Sequence, residues 1–393
     1  MHDAGFRGGH GHRRRPRFVG TRAVIRRRLV NLAVSLASIA LFLTLAEAIM
    51  WGISPPPKPP FPKGIFEPPG EYWRMTPNFT GLSGNRSDFN DKIVSADALG
   101  RRIVPTAPTE ADHRLWLFGD SQTFGHGLSD DETWANRLQE EFKKSNRSIR
   151  VINLGVPAIN VDQYLVRLRK TVDEISPGDH VMVGLSWNDL ITPQNVSARP
   201  AIAMVDGYLV NGDLASSQNS AKARVAFYDA TGIALPPLQD LKSFLDSMAQ
   251  TSALMHFAYP RAKAVYYRYR TTRPLETIVR GQVPQANFYL LAEMAEMVRR
   301  QGAAFTVLTL PDKIFFEDAA YAVYSVNGRD FPQQNYPGYL AQPLCRQHKI
   351  TCLDAFDTLH RHQHDPVAYA EDGHYNPQGA RVIARWLAEQ RLF

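Results

Sequence analysis

Five short apolar runs punctuate the chain, at 115–119, 149–156, 180–186, 304–310 and 351–356. Each is bounded by polar or turn-forming residues, and each predicts a buried strand. Between them the spacing turns helical, over 133–144, 162–174 and 287–301, and a last helical pattern at 378–390 closes the chain. In the third of these, Leu290, Leu291, Met294, Met297 and Val298 fall on one face. Strands alternating with helices predict an α/β domain with a parallel sheet covered on both sides. Reactive groups in such sheets gather at the carboxyl ends of the strands.

Residues 191–286 do not fit a short crossover and are predicted to be an insertion, a lid or a substrate platform. The piece 203–210 predicts a hairpin turning at Asp206-Gly207, and 238–255 has a helical pattern. Then Tyr266-Tyr267-Arg268-Tyr269-Arg270 mixes aromatics with cations. Such a cluster stacks sugars, meets lipid headgroups or simply packs. Tyr266 and Tyr269, with Trp187, are the candidate substrate-binding aromatics.

The apolar pattern before residue 54 is of another kind. Leu29 to Ala46 carries no charge, and after Glu47 the apolar run resumes to Ile53. About 20 such residues cross a bilayer as a helix. A soluble helix would show a polar stripe that this one lacks. The formal net charge of +7 bears on the same segment. Nine arginines, Arg7 to Arg28, face one acid, Asp3, in residues 1–28. The remainder is near neutral, so the basicity belongs to a tail and does not mark a nucleic-acid-binding enzyme. Arginines on the N-terminal side predict a cytoplasmic N-terminus, with everything after residue 53 outside the inner membrane. Trp51 then sits at the outer interface. Ala46-Glu47-Ala48 also resembles a cleavage site, but the basic leader is long for a signal peptide, and an uncleaved anchor is the preferred reading.

The expected organisation is therefore a tail (1–28), an anchor (29–53), a linker (54–70) and a catalytic domain (71–393). The linker is packed with proline and reads as a semi-rigid polyproline spacer, about 3.1 Å per residue. Cys345 and Cys352 are the only cysteines; outside the cytoplasm a disulfide is permitted but not demanded. Two cysteines are also too few for a structural zinc site.

The candidate chemistry sits at the predicted strand ends. Phe118-Gly119-Asp120-Ser121-Gln122-Thr123-Phe124-Gly125 follows the first strand, and Asp372-Gly373-His374-Tyr375-Asn376-Pro377 precedes the last helix. A serine hydroxyl is a weak nucleophile until a base takes its proton. Ser121, His374 and Asp372 are the raw materials of a nucleophile, base and orienter. Asn153-Leu154-Gly155 follows the apolar residues Ile149–Ile152, and Gly184-Leu185-Ser186-Trp187-Asn188-Asp189 follows His180–Val183.

These four blocks, in this order, resemble the SGNH/GDSL hydrolase family over roughly residues 88–190 and 300–393. The resemblance implies a flavodoxin-like three-layer sandwich with a five-stranded parallel sheet. It implies that Ser121 and Gly155 supply backbone N–H groups, and Asn188 its side-chain amide, to an oxyanion hole. The chain departs from the family in two places. Many members separate the acid and the histidine by two residues; here Gly373 alone separates them, leaving Asp372 and Glu371 as candidate orienters. Gly373 allows the tight turn that favours Asp372. A second glycine, often three residues after the first, is Ala158 here.

The resemblance implies a metal-free, cofactor-free serine esterase. The membrane address points to O-acetyl groups on an extracytoplasmic polysaccharide, with a polysaccharide synthase or export complex as a candidate partner. Three alternatives stay open: O-acetyl transfer to a sugar by the same triad, hydrolysis of a lipid or thioester, and a non-catalytic scaffold.

Overall fold

The computed structural model describes residues 19–56, 60–67, 73–191, 202–205, 208–211, 248–249, 251–269, 282–321, 334–390 and 392. It opens with helix α1 (Val19–Ile53), whose stretch Ile25–Ile53 is long and apolar enough to cross a membrane and is unburied along its length. A hairpin of β1 (Thr80–Ser83) and β2 (Lys92–Ser95) follows. Next come β3 (His113–Gly119), the one-turn helix α2 (Ser121–Phe124), α3 (Trp134–Lys144), β4 (Ile149–Asn153) and α4 (Val161–Thr171). Then β5 (His180–Leu185) and the short α5 (Trp187–Ile191) lead into the insertion. There β6 (Ile202–Val205) and β7 (Tyr208–Asn211) pair antiparallel, as the predicted hairpin requires. The remaining elements are α6 (Ala253–Tyr269), α7 (Gln282–Arg300), β8 (Ala304–Thr309), α8 (Lys313–Phe316), α9 (Tyr336–His348), β9 (Thr351–Asp354), α10 (Phe356–His360) and α11 (Pro377–Glu389).

Strands β3, β4, β5, β8 and β9 form one parallel sheet in the order β4-β3-β5-β8-β9. All five lie on the apolar runs that predicted them. Counted along the chain this is the 2-1-3-4-5 order, which places a crevice at the carboxyl ends where the winding reverses beside β3. Alternate residues of a strand face opposite sides. Leu115 and Leu117 accordingly pack with Trp134, Leu138 and Phe142 of α3 and Ile383 and Leu387 of α11. Trp116 and Phe118 pack on the other face with Tyr164 and Leu168 of α4 and Leu291 and Val298 of α7. The result is the expected three-layer α/β sandwich. Cys345 of α9 and Cys352 of β9 form a disulfide, with Cα atoms 6.2 Å apart.

Two differences from the sequence reading concern the segments around α1. Residues 19–28, assigned to the basic tail, are helical and run on into the apolar stretch. More important, the proline-rich stretch does not hold the domain at a distance. Phe61 and Ile65 are buried among Met75, Val94, Ala96 and Phe124. The Pro60 carbonyl accepts from Ser83 Oγ and, at 3.3 Å, from the Gly84 N–H. The apolar residues set between the prolines are the reason: they have a core to enter, so the chain folds back onto β1 and β2. In the helical pattern at 238–255, residues 238–247 and 250 lie outside the described residues, and α6 starts at Ala253.

Candidate active site

Ser121 owes its position to the end of β3. Asp120 caps α2: its Oδ1 accepts from the Gln122 N–H at 3.0 Å and from Ser186 Oγ at 2.8 Å. Ser121 is then the first residue of α2, and a first-turn N–H has no acceptor within its own helix. The hydroxyl is half-buried, while Gln122, Thr123 and Phe124 beneath it are buried. The nucleophile therefore stands on a packed base.

The loop before α11 brings the other two members. His374 Nε2 lies 2.8 Å from Ser121 Oγ, and His374 Nδ1 lies 2.5 Å from Asp372 Oδ1. Glu371 is exposed, and the hydrogen bond to the imidazole comes from Asp372. Gly373 has φ +83°, the left-handed conformation that lets the acid fold back on the ring two residues later. Burial pushes the Asp372 carboxyl up, but hydrogen bonds from His126 and His374 outweigh it and hold the group well below the usual carboxylate range. For His374, burial favours the neutral ring; the bond to Asp372 and the charges of Asp372, Asp120 and Asp312 outweigh that and raise its pKa.

Four residues outside the sequence motifs complete the surroundings. Asp88, in the β1–β2 loop, accepts from the backbone N–H groups of Ala370, Glu371 and Asp372 at 2.7–3.2 Å. It fixes the turn that carries the acid. His126 is buried, with its Nε2 3.4 Å from Asp372 Oδ2 and its ring 4.6 Å from that of His374. Its Nδ1 has no hydrogen-bond partner among the described residues. Burial depresses the His126 pKa, against the opposing bond to Asp372. Asp312 follows β8 and borders the same cavity; burial first, then the charge of Asp120, pushes its carboxyl up to about 6. Phe61, from the expected linker, forms a wall and contacts His126 ring to ring at 4.8 Å. Signals for these were weak. His126 lies five residues from Ser121, but a lone histidine says little, and Asp88 is 284 residues from Asp372.

Ser121, His374, Asp312, Asn188, Ala158 and Phe61 border one open cavity of about 410 Å³. Here the structure corrects one oxyanion donor. The Gly155 N–H donates to Asn153 Oδ1 at 2.8 Å, and Gly155 does not border the cavity. A Cβ at Gly155 would lie 2.4 Å from the Phe124 nitrogen, so this glycine is there for close packing under α2. The Val156 N–H donates to the Gly119 carbonyl at 3.0 Å, and Pro157 has no N–H. The first donor of the turn left for the cavity belongs to Ala158, held at φ +63°. Asn188 is exposed at the cavity edge. Trp187, expected to bind substrate, instead packs its ring 5.2 Å from Phe315 and does not border the cavity. Its apolar face finds a core neighbour first. The side chains of Tyr266 and Tyr269 lie outside the described residues.

His126, Asp372 and His374 are also the cluster among the described residues whose ligand atoms lie within 4.8 Å of one another. His374 Nδ1 already bonds to Asp372, His374 Nε2 faces Ser121 and His126 Nε2 faces Asp372, so the arrangement fits proton transfer: a base in contact with a hydroxyl, and a carboxylate behind the base.

The family model described as "SGNH hydrolase-like domain, acetyltransferase AlgX" matches residues 269–391, which include Asp372 and His374. No curated protein matches the chain. Among solved structures, a member of the lipolytic protein G-D-S-L family from Veillonella parvula is 14% identical, covering 71% of this chain and 98% of its own, with a TM-score of 0.37. A putative lipolytic protein of the same family from Desulfitobacterium hafniense is 13% identical over 71% of this chain and 99% of its own, TM-score 0.34. The acetyl xylan esterase AlAXEase is 12% identical over 70% and 100%, TM-score 0.36.

Proposed function

For a chain that carries an SGNH hydrolase-like domain, we propose a serine-dependent acyl-transfer enzyme that removes O-acyl groups, chiefly O-acetyl, from an extracytoplasmic polysaccharide. The observation that carries the reading is the unbroken chain Asp372–His374–Ser121, at 2.5 and 2.8 Å. His374 Nε2 takes the Ser121 proton as Oγ attacks the ester carbonyl. Asp372 holds the ring with Nδ1 protonated and stabilises the imidazolium. The Ser121 and Ala158 N–H groups and the Asn188 amide receive the oxyanion. One such donor is worth about 2.7–4 kcal/mol of transition-state stabilisation. His374 then protonates the departing sugar oxygen, leaving an acyl-Ser121. Water activated by the same imidazole releases the acid and restores the serine.

Transfer to a second sugar hydroxyl is the other reading. It is favoured by the match to the acetyltransferase AlgX model over the segment holding Asp372 and His374. The two readings share the acyl-enzyme and differ only in what attacks it. The apolar α1 is read as an inner-membrane anchor with its arginines cytoplasmic and the catalytic domain outside. The test is turnover of a small acetyl ester by the full chain in detergent. Ser121→Ala and His374→Ala should each abolish it, since triad members act as a unit. Near-normal turnover by a folded Ser121→Ala protein refutes the mechanism. Adding a sugar acceptor and weighing the products separates hydrolysis from transfer.

A further inference from the structure

Glu47 is the one charged residue in the apolar stretch from Leu29 to Ile53. Its carboxylate does not stand alone. It accepts from Ser252 Oγ at 2.8 Å, from the Ala253 N–H at 2.8 Å, from the Leu254 N–H at 3.1 Å and from Trp51 Nε1 at 2.9 Å. Three of these donors belong to the start of α6, some two hundred residues away in sequence. The anchor helix thus supplies the N-cap of a helix in the insertion. First-turn N–H groups lack internal acceptors and carry the positive end of the helix dipole, so a carboxylate meets both needs.

The cap also fixes a depth. From Leu29 to Glu47 is 18 helical steps, about 27 Å at 1.5 Å per residue, against a hydrocarbon core about 30 Å thick. With Arg26, Arg27 and Arg28 at the cytoplasmic headgroups, Glu47 lies at the outer edge of the hydrocarbon and Trp51 in the outer interface. The start of α6 lies at that same level. The composition of α6 suits the place. Ala253–Tyr269 contains Arg261, Lys263 and Arg268 and no acid, with Phe257 and four tyrosines. Basic and aromatic residues together are what the headgroup layer retains. Phe257 is 38% exposed, and the exposed Arg261 guanidinium lies 3.7 Å over its ring. The catalytic domain reaches the same level at Trp51. The Arg86 guanidinium lies 5.4 Å over Trp51, and its Nη1 donates to the Pro56 carbonyl at 3.0 Å.

We propose that α6 is a second membrane contact, lying in the outer headgroup layer with anionic lipid as its partner and clamped to the anchor by Glu47. This rests on the reading that α1 spans the bilayer, not on the esterase reading. The insertion then holds the catalytic domain close to the membrane surface.

The test uses the full chain in vesicles of phosphatidylethanolamine and phosphatidylglycerol. Ala258→Cys places one reporter fluorophore on the exposed side of α6, and Leu43→Cys places one in the span. The native cysteines are paired and do not compete for the label. Lipids with a nitroxide on the headgroup should quench the label at 258, and aqueous iodide should do so weakly. Lipids with a nitroxide on the acyl chain should quench the label at 43. Adding Glu47→Ala should abolish headgroup quenching at 258 and leave the signal at 43 unchanged. Quenching at 258 by iodide alone, with the label at 43 in lipid, overturns the proposal and leaves the anchor standing. A label at 258 shielded from both quenchers means that protein covers α6, and overturns it equally. Iodide quenching at 43 removes the anchor reading and the proposal together.

Discussion

Replacing Asp372 by asparagine tests the orienting role at a single atom. The carboxylate meets His374 Nδ1 at 2.5 Å through Oδ1 and His126 Nε2 at 3.4 Å through Oδ2. Asparagine offers one acceptor oxygen and one donor nitrogen. With the nitrogen toward His374, Nδ1 must be bare and Nε2 must carry the proton, so the ring cannot receive one from Ser121. That fault lowers turnover roughly 10⁴-fold in a serine triad, about 5 kcal/mol. With the oxygen toward His374, the amide nitrogen faces His126, which must shift its proton to Nδ1. That N–H would be buried without an acceptor beside the rings of Phe61 and Phe89. Such burial costs about 1–3 kcal/mol, and the imidazolium still loses its counter-charge. Either way kcat on an acetyl ester should fall by about 10²- to 10⁴-fold. Thermal melting should stay cooperative. Glu371→Gln alters an exposed side chain and should leave kcat within about twofold, since surface substitutions away from special features change little. A loss under tenfold for Asp372→Asn, or a larger loss for Glu371→Gln, would refute the assignment.

His126→Phe keeps the aromatic packing but removes the donor to Asp372, and should lower kcat roughly 10–100-fold through a misplaced acid; His126→Gln, which keeps a donor, should recover most of it. The pH–rate profile should fall on the acid side with a midpoint above the ordinary histidine value of about 6.5, because His374 must be neutral to accept the proton and its pKa is raised. Asp312 has its folded pKa raised to about 6, above the unfolded value, so the folded state holds the proton longer and stability falls as pH rises from about 4 to 6. Asp312→Asn should therefore raise the melting temperature at pH 7.5 and leave it nearly unchanged at pH 4; equal shifts at both would show that the carboxyl is not held by burial. A fragment starting at residue 71 lacks Phe61 and Ile65 and should melt lower and turn over more slowly than one starting at residue 54. Phe61→Ala alone should cost about 3–5 kcal/mol of stability.

The parallel sheet was legible because its strands are buried on both faces and read as unbroken apolar runs. Ser121, Asp372 and His374 were legible because each sits in a short motif at the end of an element. Gly155 was in the right turn but in the wrong role. The backbone accounting that frees Ala158 depends on Asn153 and Gly119 as acceptors, which only the fold reveals. Asp88 and His126 act through space on a turn far along the chain, and nothing in their neighbours announces that. The proline run misled for a physical reason. Proline content describes the backbone, whereas Phe61 and Ile65 decide where the segment goes. Trp187 misled in the opposite way, since an aromatic beside a motif residue finds core packing as readily as a ligand.

The central claim is that Ser121 is a nucleophile activated by His374. Intact-mass and peptide mass spectrometry of the full chain, treated with a fluorophosphonate, tests this most directly. The account predicts one adduct, on Ser121, formed quickly in the unaltered protein. His374→Ala should label far more slowly, and Ser121→Ala not at all. An unlabelled Ser121 in a folded protein that still hydrolyses an acetyl ester would contradict the account, as would an adduct that forms equally fast without His374.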